Sequence, residues 1–159
     1  MSDTVRAGDH RVGQGEGVLR VQGLGSCVAI VLYDEEVRTG GLVHVLLPDP
    51  SFSTRPERQM RFATTAVPGL LKEMLAAGAR QDRIIARLVG GASMFRDLLP
   101  AGRPNMGERN VRAARSALEE AGIPILGEDV GGDYGRTVRF DLSDGHVRVT
   151  TPGREDVVL

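Results

Sequence analysis

Apolar residues gather into short runs separated by glycine, proline and acidic clusters, and the spacing inside each run sets the element it predicts. Val18 to Leu24, Val28 to Tyr33 and Gly41 to Leu47 read as strands. The last two are apolar at almost every position, which predicts cover on both faces. Asp34-Glu35-Glu36-Val37-Arg38-Thr39-Gly40-Gly41 separates them, so the two runs can fold back as an antiparallel hairpin centred between Glu35 and Glu36.

Residues 1–17 are polar and rich in glycine, and predict a loose arm. After the break at Pro48 to Pro56, a helix is expected from Glu57 to about Ala77, with Thr54 as a possible cap, Pro56 near the first turn and Gly78 at the end. Pro68 predicts a kink there, or a junction of two shorter helices. Arg83 to Val89 reads as a strand that ends in the Gly90-Gly91 turn. A second helix is capped by Asn105 with Glu108 three residues on, and Gly122 and Pro124 stop it. Its residues Val111, Ala114, Leu118 and Ala121 recur at helical spacing and predict a narrow inward stripe. Ile123 to Leu126 returns as a strand. Val138 to Leu142 and His146 to Thr150 predict a hairpin around Ser143-Asp144-Gly145. This order argues for an α+β domain with mixed sheets and helices packed outside.

Composition narrows the picture. The chain of 159 residues, 41% hydrophobic, is expected to form one domain over 1–159 with a sizeable core. A net charge of -1 supplies no basic field for nucleic acid or an anionic membrane. No apolar run approaches the roughly 20 residues that span a bilayer, and the first residues lack a signal core. The single cysteine excludes an internal disulfide. A cytoplasmic location is expected, where a free thiol stays reduced.

That cysteine, Cys27, follows Gly23-Leu24-Gly25-Ser26, where a glycine-rich turn meets an apolar strand. In the hairpin register above it faces His44 directly, with Cβ atoms roughly 4.5 to 5.5 Å apart. A thiolate paired with an imidazole is a nucleophile. The plainer alternative is a small buried hydrophobe beside a core histidine. Iodoacetamide separates the two, because a thiol activated by His44 would label faster at neutral pH than a free cysteine.

Leu24-Gly25-Ser26-Cys27-Val28-Ala29 and Gly41-Leu42-Val43-His44-Val45-Leu46-Leu47-Pro48 resemble the signature of the CheD family, chemoreceptor glutamine deamidases of bacterial chemotaxis. Gly90-Gly91-Ala92-Ser93-Met94-Phe95, Gly107-Glu108-Arg109-Asn110 and the block from Glu128 to Arg136 follow in the order of that family, so the resemblance spans about residues 17–150. It implies a fold similar to bacterial toxin-type cysteine deamidases. It also implies Cys27 as nucleophile, His44 as base and backbone support from Gly25 and Ser26, with no cofactor and no metal. The implied substrate is the cytoplasmic helical bundle of chemoreceptors, and an implied partner is a CheC-like phosphatase of phosphorylated CheY. The chain departs from the family at Val21, where a threonine is expected as third member of the set. Either that role is dispensable, or a neighbour such as Gln22 or Ser26 fills it, or the enzyme is weak. A regulator of the phosphatase with little catalysis is the alternative function.

Other clusters weigh less. Glu128, Asp129 and Asp133 among glycines lack the spacing of a calcium loop and read as an acidic turn. Gly90-Gly91-Ala92 lacks the phosphate-loop pattern and reads as a close backbone crossing. Met94 and Phe95 suit either a sticky surface or burial under the helices. His10 and His146 carry no pattern that assigns a role.

Overall fold

In the computed structural model, which describes residues 2–93 and 105–159, the two central strands are buried at every position. They are β4 (Val28–Asp34) and β5 (Thr39–Val45). Their side chains alternate between two cores. Val28, Ile30, Leu32, Val43 and Val45 pack under the helices, whereas Ala29, Val31, Tyr33 and Leu42 pack against a second sheet. Burial on both faces explains the near-continuous apolar runs.

Among the described residues, ten strands form two five-stranded sheets. The first holds β1 (Ser2–Thr4), β3 (Val18–Leu24), β8 (Arg136–Asp141), β9 (Val147–Thr150) and β10 (Val157–Val158), in that order. The second runs β2 (His10–Gln14), β5, β4, β6 (Ile85–Gly90) and β7 (Ile125–Val130). Each sheet mixes parallel and antiparallel pairs. Helices α1 (Ala63–Ala76) and α2 (Met106–Glu120) cover the outer face of the second sheet. The α+β class with helices outside is therefore observed. Tyr33 and Phe140 join the two sheets edge to face, at 5.7 Å and 85°, and the Tyr33 hydroxyl donates to the Leu142 carbonyl at 2.8 Å.

Several expectations need correction. Residues 1–17 are not a loose arm, because β1 pairs with β3 and β2 pairs with β5, each at a sheet edge. The β4–β5 register is shifted by two residues: Val28 faces Val45 and Ala29 faces His44. The loop is Glu35 to Arg38, closed by Arg38 in a left-handed conformation (φ 46°). Gly40, read as part of the turn, lies inside β5 with Gly41. A Cβ on Gly40 would stand 2.6 Å from both Phe140 and Leu142, so glycine is needed there for sheet packing.

The first helix begins at Ala63, not Glu57, with Phe62 as its cap residue. The backbone N–H groups of Leu46 and Leu47 both donate to the Arg61 carbonyl and Phe62 is fully buried, which ties the preceding segment to the end of β5. The helix also runs through Pro68. That ring and Thr64, whose carbonyl loses a donor, both lie on the exposed face, where water limits the cost. The second helix follows expectation: the Asn105 side chain accepts from Glu108 N–H at 2.9 Å, and Gly122 (φ 71°) ends it. Met94 and Phe95 lie outside the described residues.

The β4 end of the hairpin is anchored by Asp34. Burial alone would raise its carboxyl, but Arg83 binds both oxygens at 2.9 to 3.1 Å and the N–H groups of Arg80 and Glu36 add two more donors. The balance holds Asp34 below its ordinary 3.8.

Candidate active site

Cys27 stands one residue before β4, after a bend at Gly25 and Ser26. The strand before it is irregular. Its pairing with β8 shifts between Val21 and Leu24, and Gly23 takes a φ of 68°, which a residue with a Cβ rarely adopts. The turn after β6 presses on Cys27 from behind. Gly91 N–H donates to the Cys27 carbonyl and Ala92 N–H to the Gly25 carbonyl, both at 2.8 Å. A Cβ on Gly90 would lie 2.3 Å from the Cys27 oxygen. The Gly90-Gly91-Ala92 run is thus a close backbone crossing, as its lack of a phosphate-loop pattern suggested.

From the other side comes Asn110 of α2, which is fully buried. Its Nδ2 donates to the carbonyls of Ser26 and Leu46, each at 2.9 Å. Both partners are pure acceptors, which fixes the amide orientation. One side chain therefore ties the residue before Cys27 to the chain leaving β5.

His44 lies on the same face of the second sheet as Cys27, the face that looks toward the first sheet. It faces Ala29, so Cys27 is its diagonal neighbour, at a spacing of roughly 7 to 8 Å between Cα atoms. The direct opposition expected from sequence is corrected to this diagonal. Three bonds from the N-terminal segment surround His44. Its N–H donates to the Asp9 carbonyl at 3.1 Å, its carbonyl accepts from Gly8 N–H at 2.8 Å, and ring Nδ1 meets the Val5 carbonyl at 3.3 Å.

Burial dominates the electrostatics of both side chains. It lowers the His44 imidazole below 6.5, against the smaller upward pull of the Val5 carbonyl and Asp9. It raises the Cys27 thiol above 9.0, against a smaller lowering by its own backbone N–H. Burial thus works against the charged form of each group at neutral pH. Both directions favour the uncharged forms, a neutral thiol and a neutral imidazole, over the thiolate pair expected from sequence.

Gly25 and Ser26 frame the bend. Among the described residues, the N–H groups of Ser26 and Cys27 have no backbone carbonyl partner. Val21 is fully buried in the core between the sheets, while Gln22 is exposed and off that face. Neither Gln22 nor Ser26 meets the imidazole. The carboxylates of Glu128 and Asp129 are engaged by Arg115 at 2.6 Å and by the buried Arg136 at 3.3 Å. Arg136 also donates to the Gly131 carbonyl at 2.8 Å and lies 4.5 Å over the Tyr134 ring. Gly131 N–H in turn donates to the Gly90 carbonyl and Ser93 N–H to that of Gly132, so this block buttresses the turn behind Cys27. His10 pairs with Glu73 and His146 with Asp144, away from the thiol.

Sequence reasoning missed Val5 and Asn110. Val5 had only the signal of a lone apolar residue in a polar arm. Asn110 was visible as a polar residue on the inward face of α2, beside Val111 and one turn from Ala114. An open cleft of about 660 Å³ is lined by Gly8, Asp9, Leu46, Arg58, Met60 and Arg61 among others, and reaches the His44 neighbourhood through Gly8 and Asp9, which bond its backbone.

Comparison with known proteins identifies the family. The family model described as CheD chemotactic sensory transduction matches residues 46–151. The probable chemoreceptor glutamine deamidase CheD 2 of Geobacter metallireducens is 45% identical over 152 residues, covering 94% of this chain and 94% of that protein. The probable chemoreceptor glutamine deamidase CheD of Caldanaerobacter subterraneus is 44% identical, over 91% of this chain and 90% of its own. The chemoreceptor glutamine deamidase CheD of Bacillus licheniformis is 43% identical, over 84% and 80%. A crystal structure of the Neisseria meningitidis protein NMB0706, family-model DUF152, shares 13% identity at a TM-score of 0.48, over 79% of this chain and 54% of that one. The relatives' alignments extend well beyond the stretch matched by the family model, and with the model match they establish that the chain belongs to the CheD family.

Proposed function

We propose that this protein hydrolyses the side-chain amide of selected glutamines on the cytoplasmic helices of chemoreceptors, leaving glutamates. The observation that carries the reading is the placement of the chain's one thiol and a buried neutral imidazole as diagonal neighbours on one sheet face, in a chain of the CheD family. The relatives are named as chemoreceptor glutamine deamidases.

The mechanism starts from two uncharged groups. As Cys27 Sγ attacks the glutamine Cδ, His44 Nε2 takes the thiol proton, so the thiolate forms only as it is consumed. The tetrahedral oxyanion is met by the N–H groups of Ser26 and Cys27, neither of which has a backbone carbonyl partner among the described residues. The imidazolium then gives its proton to the departing nitrogen, and ammonia leaves. Water, deprotonated by the same imidazole, attacks the γ-glutamyl thioester and returns the free thiol. Burial of His44 serves both halves, since a base of lowered pKa is free at neutral pH and a strong acid once protonated.

The cleft beside the site suits a helix, and Arg58 and Arg61 on its wall complement acidic side chains. Among the described residues, no helix is long and apolar enough to cross a membrane. A cytoplasmic location is part of the same proposal, since the proposed substrate is the cytoplasmic region of the receptor. The test is ammonia release from a purified receptor cytoplasmic fragment. Stoichiometric release supports deamidation. No release, together with tight binding to a CheC-like phosphatase, replaces it with the regulatory reading that Val21 favours.

A further inference from the structure

The geometry points to a backbone group, the carbonyl of Val5, as the positioning partner that holds His44 in the tautomer its chemistry needs. A carbonyl can only accept, so the ring nitrogen 3.3 Å from it, Nδ1, must carry the proton in the neutral imidazole. The lone pair is then on Nε2, the atom free to take the proton of Cys27. The orienting role that the resemblance assigns to a hydroxyl at position 21 is filled here by a backbone carbonyl, that of Val5.

The carbonyl is itself held on both sides. Val5 is buried in the core between the sheets, and its N–H donates to the Arg20 carbonyl at 2.7 Å. Three residues on, Gly8 and Asp9 bond the His44 backbone at both its carbonyl and its N–H. The segment from Val5 to Asp9 therefore grips backbone and ring of one residue together. The ring cannot flip without breaking its bond to a carbonyl that the core immobilises. Val21, fully buried and apolar, asks for no partner there.

This inference rests on the deamidase reading for its consequence but not for its test. The full-length chain can be assembled by ligation at the Ser26–Cys27 bond, with an ester in place of the Val5–Arg6 amide. That exchange weakens the Val5 carbonyl as an acceptor. It otherwise removes only the Arg6 N–H, which has no backbone carbonyl partner among the described residues. Nitrogen chemical shifts of the His44 ring report the tautomer directly. The expected result is an Nδ1–H ring in the all-amide protein, a measurable gain of Nε2–H in the ester, and a severalfold lower kcat with KM little changed. Val21→Thr in the all-amide protein leaves tautomer and kcat nearly unaltered. An Nε2–H ring in the all-amide protein overturns the assignment, as does a severalfold rise in kcat on Val21→Thr. Absence of any deamidation leaves the ring spectrum readable and counts against the catalytic reading alone.

Discussion

Across the β4–β5 pair His44 faces Ala29, and Cys27 sits one diagonal step away. The step separates a preformed thiolate pair, which needs close contact, from a base that waits for its substrate. Burial pushes Cys27 above 9.0 and His44 below 6.5, so the resting state is neutral.

Alkylation tests this state. Iodoacetamide should label native Cys27 at pH 7 more slowly than a free cysteine, and the rate should climb as pH passes 9. That reverses the expectation drawn from sequence. Fast labelling at neutral pH, slowed in His44→Ala, would restore the thiolate pair.

The pH dependence of kcat/KM follows from the same shifts. The competent free enzyme has His44 neutral and Cys27 protonated, so the rate falls only below 6.5 on the acid side and above 9.0 on the alkaline side. The sign for stability is fixed as well. His44 binds a proton more readily unfolded than folded, so its contribution to stability is present above about 6.5 and is lost as pH falls toward the lower folded value. A rate profile whose acid limb lies above 6.5 would contradict the assignment.

Asn110 offers a test of positioning. Asn110→Ala leaves the Ser26 and Leu46 carbonyls without their donor, at a cost of about 1 to 3 kcal/mol. Thermal unfolding should fall by about 2 to 4 °C for each kcal/mol. Asn110→Asp should be worse, because a carboxylate would face two carbonyl oxygens. Both variants should lose kcat, and an Asp variant as stable and active as wild type would remove Asn110 from the account.

Gly90→Ala tests the turn behind the thiol. The new Cβ meets the Cys27 carbonyl at 2.3 Å, at a φ of 114°, and a residue strained in this way costs about 1 to 3 kcal/mol before the clash is counted. Gly153→Ala is the control, with a φ of 77° and nothing within 4 Å. Gly90→Ala should lose more stability than the control and slow deamidation. Equal stability loss with unchanged rate would mean that the crossing does not position Cys27.

Much of the fold was legible where periodicity and capping speak locally. Strand β3, the cap at Asn105, the stop at Gly122 and the inward stripe of α2 all stand where the residues indicate. The β4–β5 register was not, since Gly40 and Gly41 look like turn residues until Phe140, Leu142, Leu70 and Met74 are packed against them. Residues 1–17 misled for a related reason. Their strands are short sheet edges with few apolar side chains, and edge pairing depends on backbone groups that composition does not reveal. The bond from Val5 to His44 belongs to the same class, as a backbone carbonyl has no sequence signal.

The central claim, that Cys27 is the nucleophile of a glutamine deamidase, is tested most directly by mass spectrometry of a receptor cytoplasmic fragment incubated with wild type and with Cys27→Ala. Each event exchanges NH for O and adds about one dalton. The account predicts progressive mass gain at particular glutamines with wild type and none with a folded Cys27→Ala protein. Conversion at the same glutamines by the alanine variant would contradict it.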